Sequence, residues 1–211
     1  AMARIPPDFR YETAAFARGA IRVAGVDEVG RGPLAGPVTA CAVRLDPRHI
    51  PEGLADSKTL GVARREALFA EIMAVAEVGI AHSTVEEIDA LNILRASHLA
   101  MERAVAALGA DHALIDGNLV PRRLCCPATA IVRGDATCLS IAAASVVAKV
   151  TRDRIMVDLA QQHPGYGWEA NAGYPTKAHL EALRTLGVTP WHRRSFRPVH
   201  NMLYQENSVS S

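Results

Sequence analysis

The chain has 211 residues, 49% hydrophobic and 21% charged, which is too apolar for a disordered protein and typical of one globular domain with or without a small appendage. No uncharged apolar stretch reaches the roughly 18 residues of a membrane helix, and no fixed-period repeat is visible, which argues against a membrane protein and a solenoid. Because 23 Lys and Arg residues nearly balance 22 Asp and Glu residues, contact with a polyanion must depend on local patches and metal ions.

The cysteines predict a reducing compartment. Cys41, Cys125, Cys126 and Cys138 form no CxxC pair, and a chain of this size needs no disulfide framework. Residues 1–18 contain no apolar stretch of signal-peptide form. We therefore expect a cytoplasmic protein with free thiols.

The first part of the chain alternates between predicted strands and helices. Strands are predicted over 21–28 and 38–45, separated by the glycine- and proline-rich sequence GRGPLAGP. A helix over 62–78 and a short strand over 78–85 follow. An apolar stripe that begins with Leu91 and Leu94 predicts a helix ending at Gly109, with His98 on the stripe as a hydrogen-bonded core residue.

The second part adds short strands over 113–116 and 128–132, a small-residue helix over 139–161, and a helix around Leu180 and Leu183. Together these elements predict an α/β or α+β fold, with a mixed central β-sheet flanked by helices. We expect an N-terminal extension over 1–20, a main domain over 21–163 and a small C-terminal helical subregion with a tail over 164–211. The last residues, 207–211, are expected to fray.

Acidic residues stand where several predicted strands end. Asp27 and Glu28 close the first strand, before a glycine loop. Adjacent strand residues point to opposite faces, so both could serve one site only if the strand ends or bulges at Glu28. The alternative is that one carboxylate caps the turn and the other is solvated.

Asp116 in LIDGN and Asp135 in VRGDA repeat this pattern, because each ends an apolar run with glycine beside it. A single acid at such a place is usually a turn or N-cap residue. Four clustered carboxylates, however, would repel one another strongly without a cation. Oxygen ligands favour Mg²⁺ or Mn²⁺, and two such ions could activate a water and stabilise the departing oxygen in phosphodiester cleavage.

Other motifs fail on spacing. Gly30, Gly32 and Gly36 form GxGxxxG, which is one residue too long for a dinucleotide-binding fingerprint, and no GK[ST] follows. The histidines show no HExxH pattern. Ser140 and Ser145 have no GxSxG elbow, so we interpret them as helix-packing residues.

Sequence blocks in a specific order then identify a family resemblance. The chain resembles bacterial ribonuclease HII (ribonuclease H type 2) from Val23 to Val199, through GVDEVGRGPLAGPV, ADSKTL, EIDALNIL, LIDGN, RGDATCLSIAAASVVAKVTRDR, AGYPTKAHLEAL and HRRSF. This resemblance implies an RNase H-like fold and catalytic domain. It also implies a metal-dependent endonuclease that cleaves the RNA strand of RNA/DNA hybrids and nicks 5′ of single ribonucleotides embedded in duplex DNA, leaving a 3′-hydroxyl and a 5′-phosphate.

The resemblance also implies roles for individual residues. The metal-binding and catalytic acids would be Asp27, Glu28, Asp116 and Asp135, with Asp27 and Asp116 shared between two Mg²⁺ or Mn²⁺ ions. The backbone of Gly30, Arg31 and Gly32 would probe the ribose 2′-hydroxyl, which distinguishes RNA from DNA. Tyr174 would pack against the sugar beside the ribonucleotide, the alternative being a tyrosine that anchors the turn before Pro175.

Phosphate contacts are expected from basic and polar residues, with ordinary surface solvation as the alternative. Candidates from the resemblance are Lys58, Asn92, Ser145 and Lys149, and the C-terminal Arg193, Arg194 and Arg197 could form a further phosphate-binding patch. Asp153 would support the metal site or form a surface ion pair with Arg152 or Arg154. The expected partners are RNA/DNA hybrids and ribonucleotide-containing DNA, with no membrane, a monomeric state and no recognisable clamp-binding motif.

Two rival functions use the same residues. A metal-dependent phosphatase or exonuclease would cleave all-DNA duplexes equally well or require a free end. A non-catalytic hybrid-binding module would bind with an affinity that is insensitive to the four acids.

Overall fold

The structure, a computed structural model, describes residues 5–204, so the predicted frayed end at 207–211 lies outside the described residues. In chain order the elements are α1 (Arg10–Ala17), β1 (Val23–Val29), β2 (Val38–Arg44), a 3₁₀ turn (Ser57–Thr59), α2 (Val62–Val75), β3 (Glu77–Ser83), α3 (Val85–Leu91), α4 (Ile93–Leu108), β4 (His112–Asp116), β5 (Ala128–Ile131), α5 (Gly134–Thr137), α6 (Leu139–Gln162), α7 (Trp168–Asn171), α8 (Lys177–Leu186) and α9 (Arg197–Tyr204).

Within the described residues, five strands form one mixed sheet in the order β3-β2-β1-β4-β5. The central strand β1 pairs antiparallel with β2 and parallel with β4, and β4 pairs parallel with β5. The mixed sheet predicted from the sequence is therefore confirmed. Its parallel half is the part that matters for function, because neighbouring parallel strands end at the same edge.

The chain folds as two compact units. Within residues 5–204, the first contains the residues up to Val29 together with Thr39–His82 and His98–Val150, and the second contains Gly30–Val38, Ser83–Ser97 and the described residues from Thr151. In the first unit, the alanine-rich start of α6 is buried in the core with Leu68 and Ile72 of α2. A Cβ at Gly25 would overlap the backbone of Ser140 and Ile141, so this glycine is needed for the close approach of strand and helix.

The second unit has its own core. The ring of Trp168 stacks on Tyr166 with 5.1 Å between ring centroids, and its Nε1–H donates to His179 Nε2 at 3.1 Å. His179 Nδ1 lies 3.0 Å from the carbonyl oxygen of Tyr174. The buried aromatic cluster thus fixes the backbone of the turn that carries Tyr174.

Some predicted elements differ from the observed ones. The helix predicted from Leu91 begins at Ile93, because Asn92 has a positive φ of 74° and separates it from α3. A capping box between Thr84 and Glu87 starts α3. Leu94 is 37% exposed, so its place on the buried stripe was wrong. Helix α1 was not predicted at all.

Among residues 5–204, no helix combines the length and the apolar character that crossing a bilayer requires.

Candidate active site

Three strand-end acids converge in the first unit. The parallel register places Val26 of β1 opposite Ile115 of β4, so Asp27 and Asp116, the next residue in each strand, emerge side by side. Asp135 follows β5 at the start of α5. Carboxylate oxygens of Asp27, Asp116 and Asp135 all lie within 4.8 Å of one another.

The carboxylate cluster is electrostatically costly. Asp27 is only 7% exposed, and this burial raises its pKa well above the ordinary value. The next contributions, in the same direction, come from the negative charges of Glu28, Asp116 and Asp135. Burial and the charge of Asp116 also raise the pKa of Asp135. Backbone hydrogen bonds orient the cluster, because the Glu28 N–H donates to Asp27 Oδ1 at 2.8 Å and the Asp135 N–H donates to Asp116 Oδ1 at 3.2 Å.

Glu28 occupies a different position from the other three acids. Strand β1 continues through Glu28 to Val29, and its register with β2 is regular from Gly25 to Val29. The strand end or bulge that would turn both carboxylates to one face is therefore absent from this stretch. Glu28 is not part of the 4.8 Å group, yet its charge is the second contribution to the raised pKa of Asp27.

The donor set fits a hard divalent cation. Carboxylate oxygens are the preferred protein ligands of Mg²⁺ and Mn²⁺. A cation would also remove the repulsion that raises the pKa of Asp27. The cluster is thus suited to hold one or more divalent ions beside a phosphate.

Lys58 provides a positive charge in the same unit. It lies in the 3₁₀ turn that begins after Asp56, whose side chain accepts a hydrogen bond from the Lys58 N–H at 3.0 Å. Partial burial alone would lower the pKa of Lys58, but Asp56 and the three clustered acids raise it. The exposed ammonium of Lys58 is therefore close enough to the acids to interact with their negative charges.

Ser145 does not fit the predicted phosphate contact. It is buried, its Oγ donates to Ser57 Oγ at 2.7 Å, and the same Oγ accepts from the Ser57 N–H at 3.2 Å. Ser145 therefore supports the turn that carries Lys58. Ser140 likewise has a packing role, because its N–H and Oγ–H donate to the buried Glu12 carboxylate of α1.

The predicted ribose-contacting residues lie in the second unit. Gly30 has a positive φ of 96°, a conformation that favours glycine. A Cβ at Gly32 would lie 3.2 Å from Cε1 of Tyr174, so the tyrosine ring packs directly on this glycine. Tyr174 is 40% exposed. The loop and the ring are therefore adjacent, and part of the ring remains accessible.

Arg152 and Arg193 differ from expectation, because both side chains are fully buried. Arg193 donates to backbone carbonyls of the GRGPLAGP loop and is not part of a phosphate-binding patch. Arg194 and Arg197 are exposed. Arg152 also donates to carbonyls, so a surface ion pair between Arg152 and Asp153 does not fit. No signal in the sequence distinguishes these buried arginines from ordinary surface arginines.

Comparison with solved structures identifies the fold. The structure superposes on the crystal structure of ribonuclease H2 from Pyrococcus horikoshii OT3 with a TM-score of 0.71 and 27% identity, covering 90% of this chain and 100% of that one. It also superposes on Bst-RNase HIII in complex with Mn²⁺ with a TM-score of 0.74 and 19% identity, covering 92% and 73% of the two chains. The fold is therefore that of the RNase H-like enzymes.

The sequence comparisons identify the family. The sequence model of the ribonuclease HII family matches residues 24–200 of this chain. A ribonuclease HII of Cereibacter sphaeroides (strain ATCC 17025) is 70% identical over 206 residues, which are 97% of each chain. The chain belongs to the ribonuclease HII family, and its activity is that of a ribonuclease H endonuclease acting on RNA/DNA.

Proposed function

We propose that this ribonuclease H is dependent on Mg²⁺ or Mn²⁺ and nicks duplex DNA on the 5′ side of a single embedded ribonucleotide, leaving a 3′-hydroxyl and a 5′-phosphate. It would also cleave the RNA strand of longer RNA/DNA hybrids. The observation that carries the metal requirement is the group of three carboxylates within 4.8 Å, with raised pKa values at Asp27 and Asp135. Such a group is stable in its charged form only beside a cation.

The residues of the chain have distinct roles in this proposal. Asp27, Asp116 and Asp135 hold the metal ions, and Glu28 adds negative charge from the neighbouring position on β1. When bound, the divalent ions supply Lewis acidity that polarises a phosphoryl oxygen and lowers the pKa of water. Lys58 attracts and orients a phosphate of the substrate strand, since its ammonium lies in the field of the acids.

Ribose recognition is assigned to the second unit. The backbone of Gly30, Arg31 and Gly32 would contact the 2′-hydroxyl, and the Tyr174 ring would pack against the neighbouring sugar. The contact between Gly32 and the Tyr174 ring supports this assignment, because it places a partly exposed aromatic ring beside the exposed backbone of Gly32. A Cβ at Gly32 would interfere with that contact.

A closed circular DNA duplex with one embedded ribonucleotide tests the proposal. We expect a single nick 5′ of the ribonucleotide with Mg²⁺ or Mn²⁺, and none with chelator or with an all-DNA circle. Asp116→Asn should abolish nicking while substrate binding persists. Cleavage of the all-DNA circle, or a requirement for a free end, would favour the phosphatase or exonuclease alternative. Binding without any nick, unaffected by Asp116→Asn, would favour the hybrid-binding module.

A cytoplasmic location and a monomeric state are part of the same proposal. The support is that Cys41, Cys125, Cys126 and Cys138 are all free thiols, as is usual for proteins of a reducing compartment. Light scattering of the purified protein at micromolar concentration would test the oligomeric state.

A further inference from the structure

Two desolvated arginines lie beneath the GRGPLAGP loop of the second unit. Arg152 is 1% exposed and Arg193 is 0% exposed. Burial lowers the pKa of Arg152 to about 10 and that of Arg193 to about 9, so both guanidinium groups remain charged at neutral pH. Burying two charges is expensive unless each has a complete set of hydrogen-bond acceptors.

Backbone carbonyls provide these acceptors. Arg193 Nη2 donates to the Gly30 oxygen at 2.6 Å, Nη1 donates to the Arg31 oxygen at 3.1 Å, and Nε donates to the Gly36 oxygen at 3.0 Å. The rigid planar fork of arginine is suited to hold several carbonyls at once, which a lysine ammonium on a flexible stem cannot do. Arg193 therefore fixes the orientation of two consecutive peptide groups in the loop.

Arg152 holds other parts of the same unit. Its Nε donates to the Pro37 oxygen at 2.8 Å, Nη2 donates to the Ala35 oxygen at 2.9 Å, and Nη1 donates to the Ala172 oxygen at 2.7 Å. These bonds support the later part of the loop and the turn before Tyr174. The carbonyls of Gly30 and Arg31 thus accept hydrogen bonds from Arg193. Arg152 donates to other carbonyls, although its side chain packs against Gly30, where an added Cβ would overlap it.

The held carbonyls determine where the amide groups point. A trans peptide unit is planar, and its N–H points away from its C=O. No cis peptide bond occurs among the described residues. The peptide units whose carbonyls belong to Gly30 and Arg31 carry the N–H groups of Arg31 and Gly32. Both N–H groups must therefore point away from the Arg193 guanidinium, and one of them belongs to the glycine on which the Tyr174 ring packs.

We propose that Arg193 is a positioning residue for ribose discrimination: by holding the Gly30 and Arg31 carbonyls, it presents the N–H groups of Arg31 and Gly32 as donors to a 2′-oxygen. This inference rests on the proposed function. A 2′-deoxy sugar has no acceptor at that position and therefore cannot make this contact with the loop backbone. Sites built to bind a substrate hydroxyl reject analogues that lack it for this reason.

The experiment compares Arg193→Lys with Arg152→Lys, because both remove a buried guanidinium from the same unit but only the first releases the Gly30 and Arg31 carbonyls. The readout is the ratio of the Ki of an all-DNA duplex to the KM of the same duplex with one ribonucleotide, measured by nicking. Arg193→Lys should lower this ratio about tenfold, the factor that corresponds to one lost hydrogen bond. Arg152→Lys should change it less than about threefold, although it lowers thermal stability by a comparable amount. The exposed Arg184→Lys should leave both the ratio and the stability unchanged.

Equal losses of discrimination in the two buried variants would overturn the proposal and leave a merely structural role for Arg193. A wild-type protein that does not nick the ribonucleotide duplex would instead refute the proposed function, so the two failures are distinguishable.

If Arg193→Lys does not fold, nuclear magnetic resonance of the wild-type protein decides the matter. The ribonucleotide duplex should shift the amide proton signals of Arg31 and Gly32, and the all-DNA duplex should not. The carbonyl carbons of Gly30 and Arg31 should keep their shifts in both complexes, because Arg193 holds them throughout. Amide signals that respond equally to both duplexes would overturn the proposal.

Discussion

Replacement of Asp27 by asparagine should stabilise the metal-free protein while it abolishes nicking. Carboxylate oxygens of Asp27, Asp116 and Asp135 all lie within 4.8 Å. At an effective dielectric constant of about 20, two charges at that distance repel by about 3.5 kcal/mol. Proton uptake limits this cost, because burial and, after it, the repulsion raise the pKa of Asp27. The asparagine oxygen can still accept the hydrogen bond from the Glu28 N–H.

We therefore expect Asp27→Asn to raise the free energy of unfolding in chelator by roughly 1–3 kcal/mol. Urea titrations of wild type and variant in chelator measure this difference. The exposed Asp158→Asn is the matched control and should stay within about 0.5 kcal/mol of wild type.

Addition of Mg²⁺ or Mn²⁺ should then reduce the difference in stability between the variant and wild type. Wild type gains stability by mass action, about 2.7 kcal/mol at a hundredfold excess over the dissociation constant, and the variant gains less because it has lost a ligand. Nicking by the variant should fall by at least about a hundredfold, as expected for loss of electrostatic stabilisation at the reacting centre. An asparagine variant that is less stable than wild type in chelator, or that nicks at a near-normal rate, would refute the electrostatic reasoning.

Three further predictions concern the first unit. Burial raises the pKa of Glu12, so its contribution to stability is greatest below the ordinary carboxyl pKa and is lost as the pH rises through the raised value. Glu12→Gln should therefore flatten the dependence of the unfolding free energy on pH above the ordinary carboxyl pKa. Gly25→Ala should cost more than about 3 kcal/mol or prevent folding, whereas Gly61→Ala, with open space around its Cβ, should cost less than about 1 kcal/mol by thermal unfolding. Lys58→Gln should raise KM several-fold and reduce the slope of log KM against log salt by about one, and a slope equal to that of Arg184→Gln would contradict a phosphate contact.

The separate acids of the site were predictable, but their convergence was not. Asp27, Asp116 and Asp135 each end an apolar run beside or near glycine, a local pattern that the sequence displays directly. Their meeting depends on the order β1-β4-β5, in which β4 pairs with β1 although a long stretch of chain separates the two strands. Pairing of distant strands depends on the packing of the entire core, which no local pattern contains.

Whether strand β1 ends or continues at Glu28 could not be predicted from the sequence. The sequence left two alternatives, a strand that breaks at Glu28 or a strand that continues. The regular pairing of β1 with β2 through Val29 selects the second. The hydrogen-bonding partner strand decides this, because an isolated VDEVG segment could adopt either conformation.

Sequence by itself determined the order of the five strands and of the helices α2, α4, α6 and α8, the candidate acids and the family resemblance, because periodicity, turn residues and motif order are properties of the linear chain. Tertiary structure alone decided that Arg152 and Arg193 are internal, since a guanidinium can be buried only where carbonyls from distant parts of the chain converge to solvate it. For that reason, Arg152 is buried although Arg154, two positions later, is exposed. Arg193 is likewise buried although the neighbouring Arg194 is exposed.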